Sequence, residues 1–216
     1  MSEQNLQTYL PFHQKAFWDD FYKTKANDTL NWYFDITKLE IPEFSVKSIS
    51  KDDEVLVLGP GNSSFLDYLD ENDYDKITII DFSEELIKNL QTKYKDRSDN
   101  WEYYADNIVT LDKEKFEGGF DIVIDKGCID CILSDPKNAE ETFIDAMNFV
   151  KVSLADNGVF YYFSYGKLEE RVNLLFRVPG IKYRVAIIDM NTIAKDEFKE
   201  FNQSDNIYYL YIITKT

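Results

Sequence analysis

Sulfur and imidazole are scarce in this chain, which has two cysteines and one histidine in 216 residues. A structural zinc site takes about four ligands, so Cys128 and Cys131 with the distant His13 do not supply one, and we expect no metal. So few cysteines in a mid-sized chain point to a reducing compartment, and we expect the cytoplasm. No apolar run approaches the ~20 residues of a membrane span. The opening MSEQNLQTYLPFHQKAFWDD has no basic stretch followed by an apolar one, so no secretory signal is expected. Internal repeats, low-complexity tracts and Pro/Gly/Ser linkers are absent too, which implies one domain. Basic residues are outnumbered, 24 Lys and Arg against 40 Asp and Glu, for a net charge of −16. Such a surface repels a phosphate backbone and disfavours nucleic acid. It draws in a basic partner, although the same charge also serves simple solubility.

What is present belongs to a globular fold. Apolar residues make up 44%, with 16 Phe and 15 Tyr. From residue 54 onward the chain alternates short β-branched runs with helical spacing. EVLVLG (54–59), KITIID (76–81), WEYYAD (101–106), FDIVID (120–125) and GVFYYFS (158–164) read as strands. SFLDYLDEN (64–72), SEELIKNLQTKY (83–94) and NAEETFIDAMNFVKVSL (138–154) read as helices, the second opened by Ser83 as N-cap. Short joints between them predict a parallel sheet covered on both faces. YRVAIIDM (183–190) and NIYYLYIITKT (206–216) have too short a connection for a crossover helix, beyond a turn or two in KDEFKEF (195–201), and predict an antiparallel pair.

In open sheets of this kind ligands bind beyond the carboxyl ends of the strands. VLVLGPGNSS places Gly59 and Gly61 there, where backbone must approach a ligand closely. A dinucleotide fingerprint needs a third glycine where Ser64 stands, so the match to a nicotinamide fold is incomplete. Asp81, Asp106 and Asp125 end the next three strands. Each alone also reads as a turn or cap residue. Together, after a glycine turn, they describe a nucleoside cradle, with Asp81 suited to ribose hydroxyls and Asp106 to an adenine amino group.

With FWDDFY and NWYF ahead of VLVLGPGNS, and IIDFS, YYADN and DIVIDKGCID after it, the chain resembles the class I, seven-β-strand methyltransferases. Within them it is similar to the elongation factor 1-alpha lysine methyltransferases and their methyltransferase-like relatives. The resemblance covers nearly the whole chain and implies a Rossmann-like seven-stranded α/β sheet with helices on both faces. It also implies S-adenosyl-L-methionine as cofactor. Residues 1–50 would be a leader closing over the cofactor and 51–216 the methyltransferase core, within one domain.

By the same resemblance Gly59 and Gly61 pass the methionine moiety and Asp81 takes the ribose. Phe82 packs on adenine, Asp106 and the Asn107 backbone read its edge, and Lys126 lies beside the cofactor. Trp18, Tyr22 and Trp32 close over it, although Trp18 with Phe17 and Phe21 also fits an ordinary helix stripe. Cys128 and Cys131 stand where the family more often has Thr and Ala, so their spacing is incidental. Pro60 replaces a more usual Cys.

The activity implied is methyl transfer to a lysine ε-amine of a basic protein, with no dedicated catalytic base required. Asp125 and Asp130 are the residues expected to hold the incoming ammonium, and aromatic side chains to pack its stem. A small-molecule methyltransferase and a non-catalytic interaction subunit are the competing readings. A complete sheet gives no reason to demand a partner copy, and a monomer is expected.

Overall fold

The computed structural model of the protein describes residues 10–26, 28–97, 99–190 and 207–216. A two-stranded hairpin, β1 (Glu40–Ile41) and β2 (Phe44–Ser45), precedes a central sheet. That sheet holds β3 (Val55–Leu58), β4 (Ile77–Asp81), β5 (Trp101–Ala105), β6 (Phe120–Lys126), β7 (Leu154–Ser164), β8 (Ile181–Asp189) and β9 (Ile207–Lys215). Its spatial order is β5-β4-β3-β6-β7-β9-β8. The strands from β5 to β7 run parallel, and β9 lies antiparallel between β7 and β8. The expected α/β sheet and its antiparallel ending are both present. The KDEFKEF segment falls outside the described residues.

The helices are α1 (Lys15–Thr24), α2 (Ser64–Glu71), α3 (Glu84–Lys93), α4 (Cys128–Ile132), α5 (Ala139–Ser153) and α6 (Leu168–Leu175). Ser83 caps α3 as its sequence predicts, its Oγ accepting from the Leu86 N–H at 3.3 Å, with Glu84 and Glu85 in the first turn favoured by the helix dipole. The strand expected at 158–164 begins earlier, at Leu154, and pairs with Phe120 through an irregular register. Gly158 permits this close approach, since a Cβ there would stand 2.6 Å from the Phe120 carbonyl oxygen.

Both sheet faces are buried, so alternate residues of a continuous apolar strand go to different cores. Val55 and Val57 pack with Phe65 and Leu66 of α2 and Leu86 and Leu90 of α3, whereas Leu56 and Leu58 pack with Phe143, Met147 and Val150 of α5. The N-terminal segment joins the first of these cores through Trp18, Tyr22, Phe34, Ile36 and Leu39. It is also fastened by hydrogen bonds beside the glycine turn. The Leu30 N–H donates to the Asn62 carbonyl (3.1 Å), and the Ser64 N–H to Asn31 Oδ1 (3.0 Å). The Ser83 hydroxyl donates to Asp19 Oδ1 (2.7 Å). From β3 the chain proceeds to β4 and β5 on one side and returns to β6 on the other. This reversal opens a crevice at the carboxyl ends of β3, β4 and β6.

Candidate active site

That crevice is a cavity of about 580 Å³, within the ~300–1,000 Å³ range of small-ligand sites. Gly59, Pro60 and Gly61 form its floor after β3, Asp81 and Phe82 follow β4, and Asp106 and Asn107 follow β5. Lys126, Gly127, Cys128, Asp130 and Cys131 come from the end of β6 and from α4. Trp18, Tyr22, Trp32 and Tyr33 of the N-terminal segment also line it, as do Tyr165 after β7 and Tyr208 of β9. All ten residues expected at the cofactor therefore border one cavity.

The glycine turn is built for close approach. Gly59 and Gly61 have φ of +51° and +59°, which L side chains rarely adopt. A Cβ on Gly59 would lie 2.6 Å from the Cys128 Cβ, and one on Gly61 would lie 3.1 Å from the Tyr22 hydroxyl. Cys128 thus packs directly on the turn. Both thiols are free, and burial pushes each well above the ordinary thiol range, so they remain protonated. Among the described residues no group of three or more His, Cys, Asp or Glu could hold a metal ion.

Asp81 is buried, with Oδ1 accepting from the Ser83 N–H at 2.9 Å. Burial raises its carboxyl to about 7, opposed by the Ser83 and Gly61 N–H groups and reinforced by the charge of Asp19. Asp106 is exposed and accepts from the Asn107 N–H at 2.8 Å, so that backbone donor already has a partner. Lys126 has its ammonium lowered to about 8 by burial, against the pull of Asp35 and Asp125. Its Nζ donates to the Trp32 carbonyl at 2.5 Å, tying the N-terminal segment to β6. The Trp32 indole Nε1 is buried and has no partner among the described residues.

The two carboxylates expected to hold an ammonium are engaged internally. Asp125 is fully buried, is not part of the lining, and accepts from the Gly127 and Ile129 N–H groups at 3.2 and 2.9 Å. It caps α4, the turn reading that any strand-end Asp carries. Asp130 lines the cavity but is saturated. It accepts from the hydroxyls of Tyr33 (2.8 Å), Tyr162 (2.8 Å) and Ser164 (2.7 Å), from the Tyr165 N–H (3.1 Å), and from Arg171 Nη2 (3.1 Å). Sequence reasoning missed Tyr33, Tyr165, Tyr208 and Arg171. Tyr33 adjoins the expected Trp32, but the other three lie far from it along the chain.

No family model matches the chain. Over 136 residues, 63% of its length, it is 29% identical to a mouse protein named eEF1A lysine and N-terminal methyltransferase. The match spans only 19% of that protein. It is 27% identical over 161 residues to mouse EEF1A lysine methyltransferase 4, covering 69% of this chain and 57% of that one. A TehB-like SAM-dependent methyltransferase from Corynebacterium glutamicum superposes with a TM-score of 0.62 at 13% identity, over 94% of this chain and 98% of that one. The N-methyltransferase NodS from Bradyrhizobium japonicum, solved with S-adenosyl-L-homocysteine, gives a TM-score of 0.54 at 12% identity over 74% and 76%. The fold is that of the class I methyltransferases, and the sequence is similar to the elongation-factor lysine methyltransferases.

Proposed function

We propose that this chain is an S-adenosylmethionine-dependent methyltransferase whose acceptor is a lysine ε-amine on a basic protein. The observation that carries the reading is the convergence of two positive-φ glycines and the buried Asp81 carboxylate on one cavity. The unpartnered Trp32 indole N–H in the same lining fits a ligand that brings its own acceptor, such as the cofactor's carboxylate. Asp81 would hold the ribose, Phe82 and Asp106 the adenine, and the Gly59–Gly61 turn the methionine portion. Trp18, Tyr22 and Trp32 would close over it.

When bound, the cofactor supplies an electrophilic methyl on a positively charged sulfur. The chain's own part is orientation and exclusion of water. An ammonium desolvated beside positive charge gives up its proton without a dedicated base. The choice of a basic protein as acceptor is supported by the names of the similar mouse proteins and by the net charge of −16.

Calorimetric titration with S-adenosylmethionine and S-adenosylhomocysteine tests the reading. We expect micromolar binding to the wild type and at least about ten-fold weaker binding to Asp81→Ala, since a charge-assisted hydrogen bond contributes roughly 1.5–3 kcal/mol. Tritiated cofactor offered with basic proteins, free amines and carboxylates should then label protein lysine. Label in small amines alone would move the reading to a small-molecule enzyme. Absence of cofactor binding would leave an interaction module on this fold.

A further inference from the structure

Tyr33 has a φ of +69°, in the left-handed region that residues with a side chain avoid. Several contacts hold it there. Its ring lies directly on Gly127, where a Cβ would meet Tyr33 atoms at 3.1–3.3 Å. Its hydroxyl donates to buried Asp130 at 2.8 Å. Its ring meets those of Tyr165 and Tyr208, with centroids 5.4 and 5.3 Å away and planes inclined at 63° and 32°. All three rings line the cavity, and Tyr165 is 54% exposed.

The nearby carboxylate is not available to a ligand, because Arg171 and four other residues occupy Asp130. Lys126, the opposing charge in the same lining, is bound to the Trp32 carbonyl. Of the carboxylates in the lining, Asp81, Asp106, Asp130 and Asp135, it is Asp130 whose charge acts on Tyr33 and Tyr165, so a cation entering beside these rings meets their faces and a carboxylate that is already paired. Ring faces attract an alkylammonium within about 6 Å of their centroids, more strongly where water is excluded. An aliphatic stem packs on the same surfaces.

We propose that Tyr33, Tyr165 and Tyr208 form the subsite for the acceptor amine, an alkylammonium, with Tyr165 on its solvent-exposed side. The assignment rests on the methyltransferase reading, and it moves the ammonium-holding role from Asp125 and Asp130 to the rings. Tyr165 sets specificity because it is the exposed member, and its substitution leaves the buried hydrogen bonds of Tyr33 in place.

The test is an NMR titration of the protein, with and without S-adenosylhomocysteine, using n-butylammonium, neutral n-butanol and acetyl-Gly-Lys-Gly-amide. Wild type, Tyr165→Phe and Tyr165→Leu are compared after thermal unfolding verifies that each is folded. Butylammonium and the tripeptide should bind, with butanol about ten-fold weaker. Tyr165→Leu should weaken both amines about five-fold or more, and Tyr165→Phe by less than about two-fold, as cation–π attraction requires. Butanol binding as tightly as butylammonium, or equal losses in the Phe and Leu variants, would overturn the subsite. With the subsite upheld, a tripeptide that binds more tightly than butylammonium assigns the amine to a polypeptide lysine, and equal binding assigns it to a free amine. Absence of S-adenosylhomocysteine binding beside intact amine binding would count against the methyltransferase reading and not against the subsite.

Discussion

Asp81 is a carboxyl whose burial gives the fold and the ligand opposite pH dependences. Its folded value of about 7 lies above the ordinary 3.8. Between those values the folded chain keeps a proton that the unfolded chain releases, so stability falls as pH rises through this window. Asp81→Asn removes that titration while retaining an acceptor for the Ser83 N–H. We expect the variant to match wild type near pH 4 and to gain roughly 5 °C in Tm at pH 8, measured by thermal unfolding. Ligand binding has the opposite sign. Ribose hydroxyls need the ionised carboxylate as acceptor, so affinity for adenosine, which has no group titrating near neutrality, should strengthen with pH. Calorimetry at pH 6 and pH 8 should show about a ten-fold gain in wild type and a flat profile in Asp81→Asn.

Among the elements, Asp130 joins four parts of the chain. It sits in α4 and binds Tyr33 of the N-terminal segment, Tyr162 and Ser164 of β7, and Arg171 of α6. The pair is buried, with side-chain exposures of 10% for Arg171 and 1% for Asp130. Removing one partner of such a pair leaves an uncompensated charge and costs about 3–5 kcal/mol. We expect Arg171→Met to lose that much in urea unfolding. Arg171→Met with Asp130→Asn should recover more than half of it, because the charge then disappears with its partner. Gly166 belongs to this arrangement, since a Cβ there would lie 2.1 Å from the Arg171 guanidinium.

Over the whole molecule the excess of acidic charge acts on encounter more than on fold. Charges on an exposed surface are screened within about 10 Å at 0.1 M salt. For a basic protein substrate we expect KM to rise about ten-fold between 50 and 500 mM NaCl. Affinity for adenosine, which carries no net charge, should change less than about two-fold over the same range. Steady-state kinetics and calorimetry at matched salt would distinguish these, and an equal salt response in both would reject the steering role.

Much of this was legible because local rules govern it. The strands of 54–59, 76–81 and 120–125 follow from β-branched runs, and the helix after Ser83 from its cap. The glycines needed at positive φ stand where a strand ends. Asp125 shows where local reading stops. A strand-end carboxylate looks the same in sequence whether it meets a substrate or caps the next helix. The capping role emerges only once the Gly127 and Ile129 N–H groups lie 3.2 and 2.9 Å away.

The sequence by itself determined the strands, the helix after Ser83 and the antiparallel ending, because periodicity, caps and turns act over a few residues; the cofactor candidates beyond Gly59, Gly61, Asp81 and Asp106 came from the resemblance to the methyltransferases. Tertiary structure alone decided that Asp130 is spent on Arg171, 41 positions away. It also brought Tyr33 against Tyr208, at a sequence separation of 175. Which side chains share a cavity, and which charges are already paired inside it, depends on contacts that no local pattern encodes.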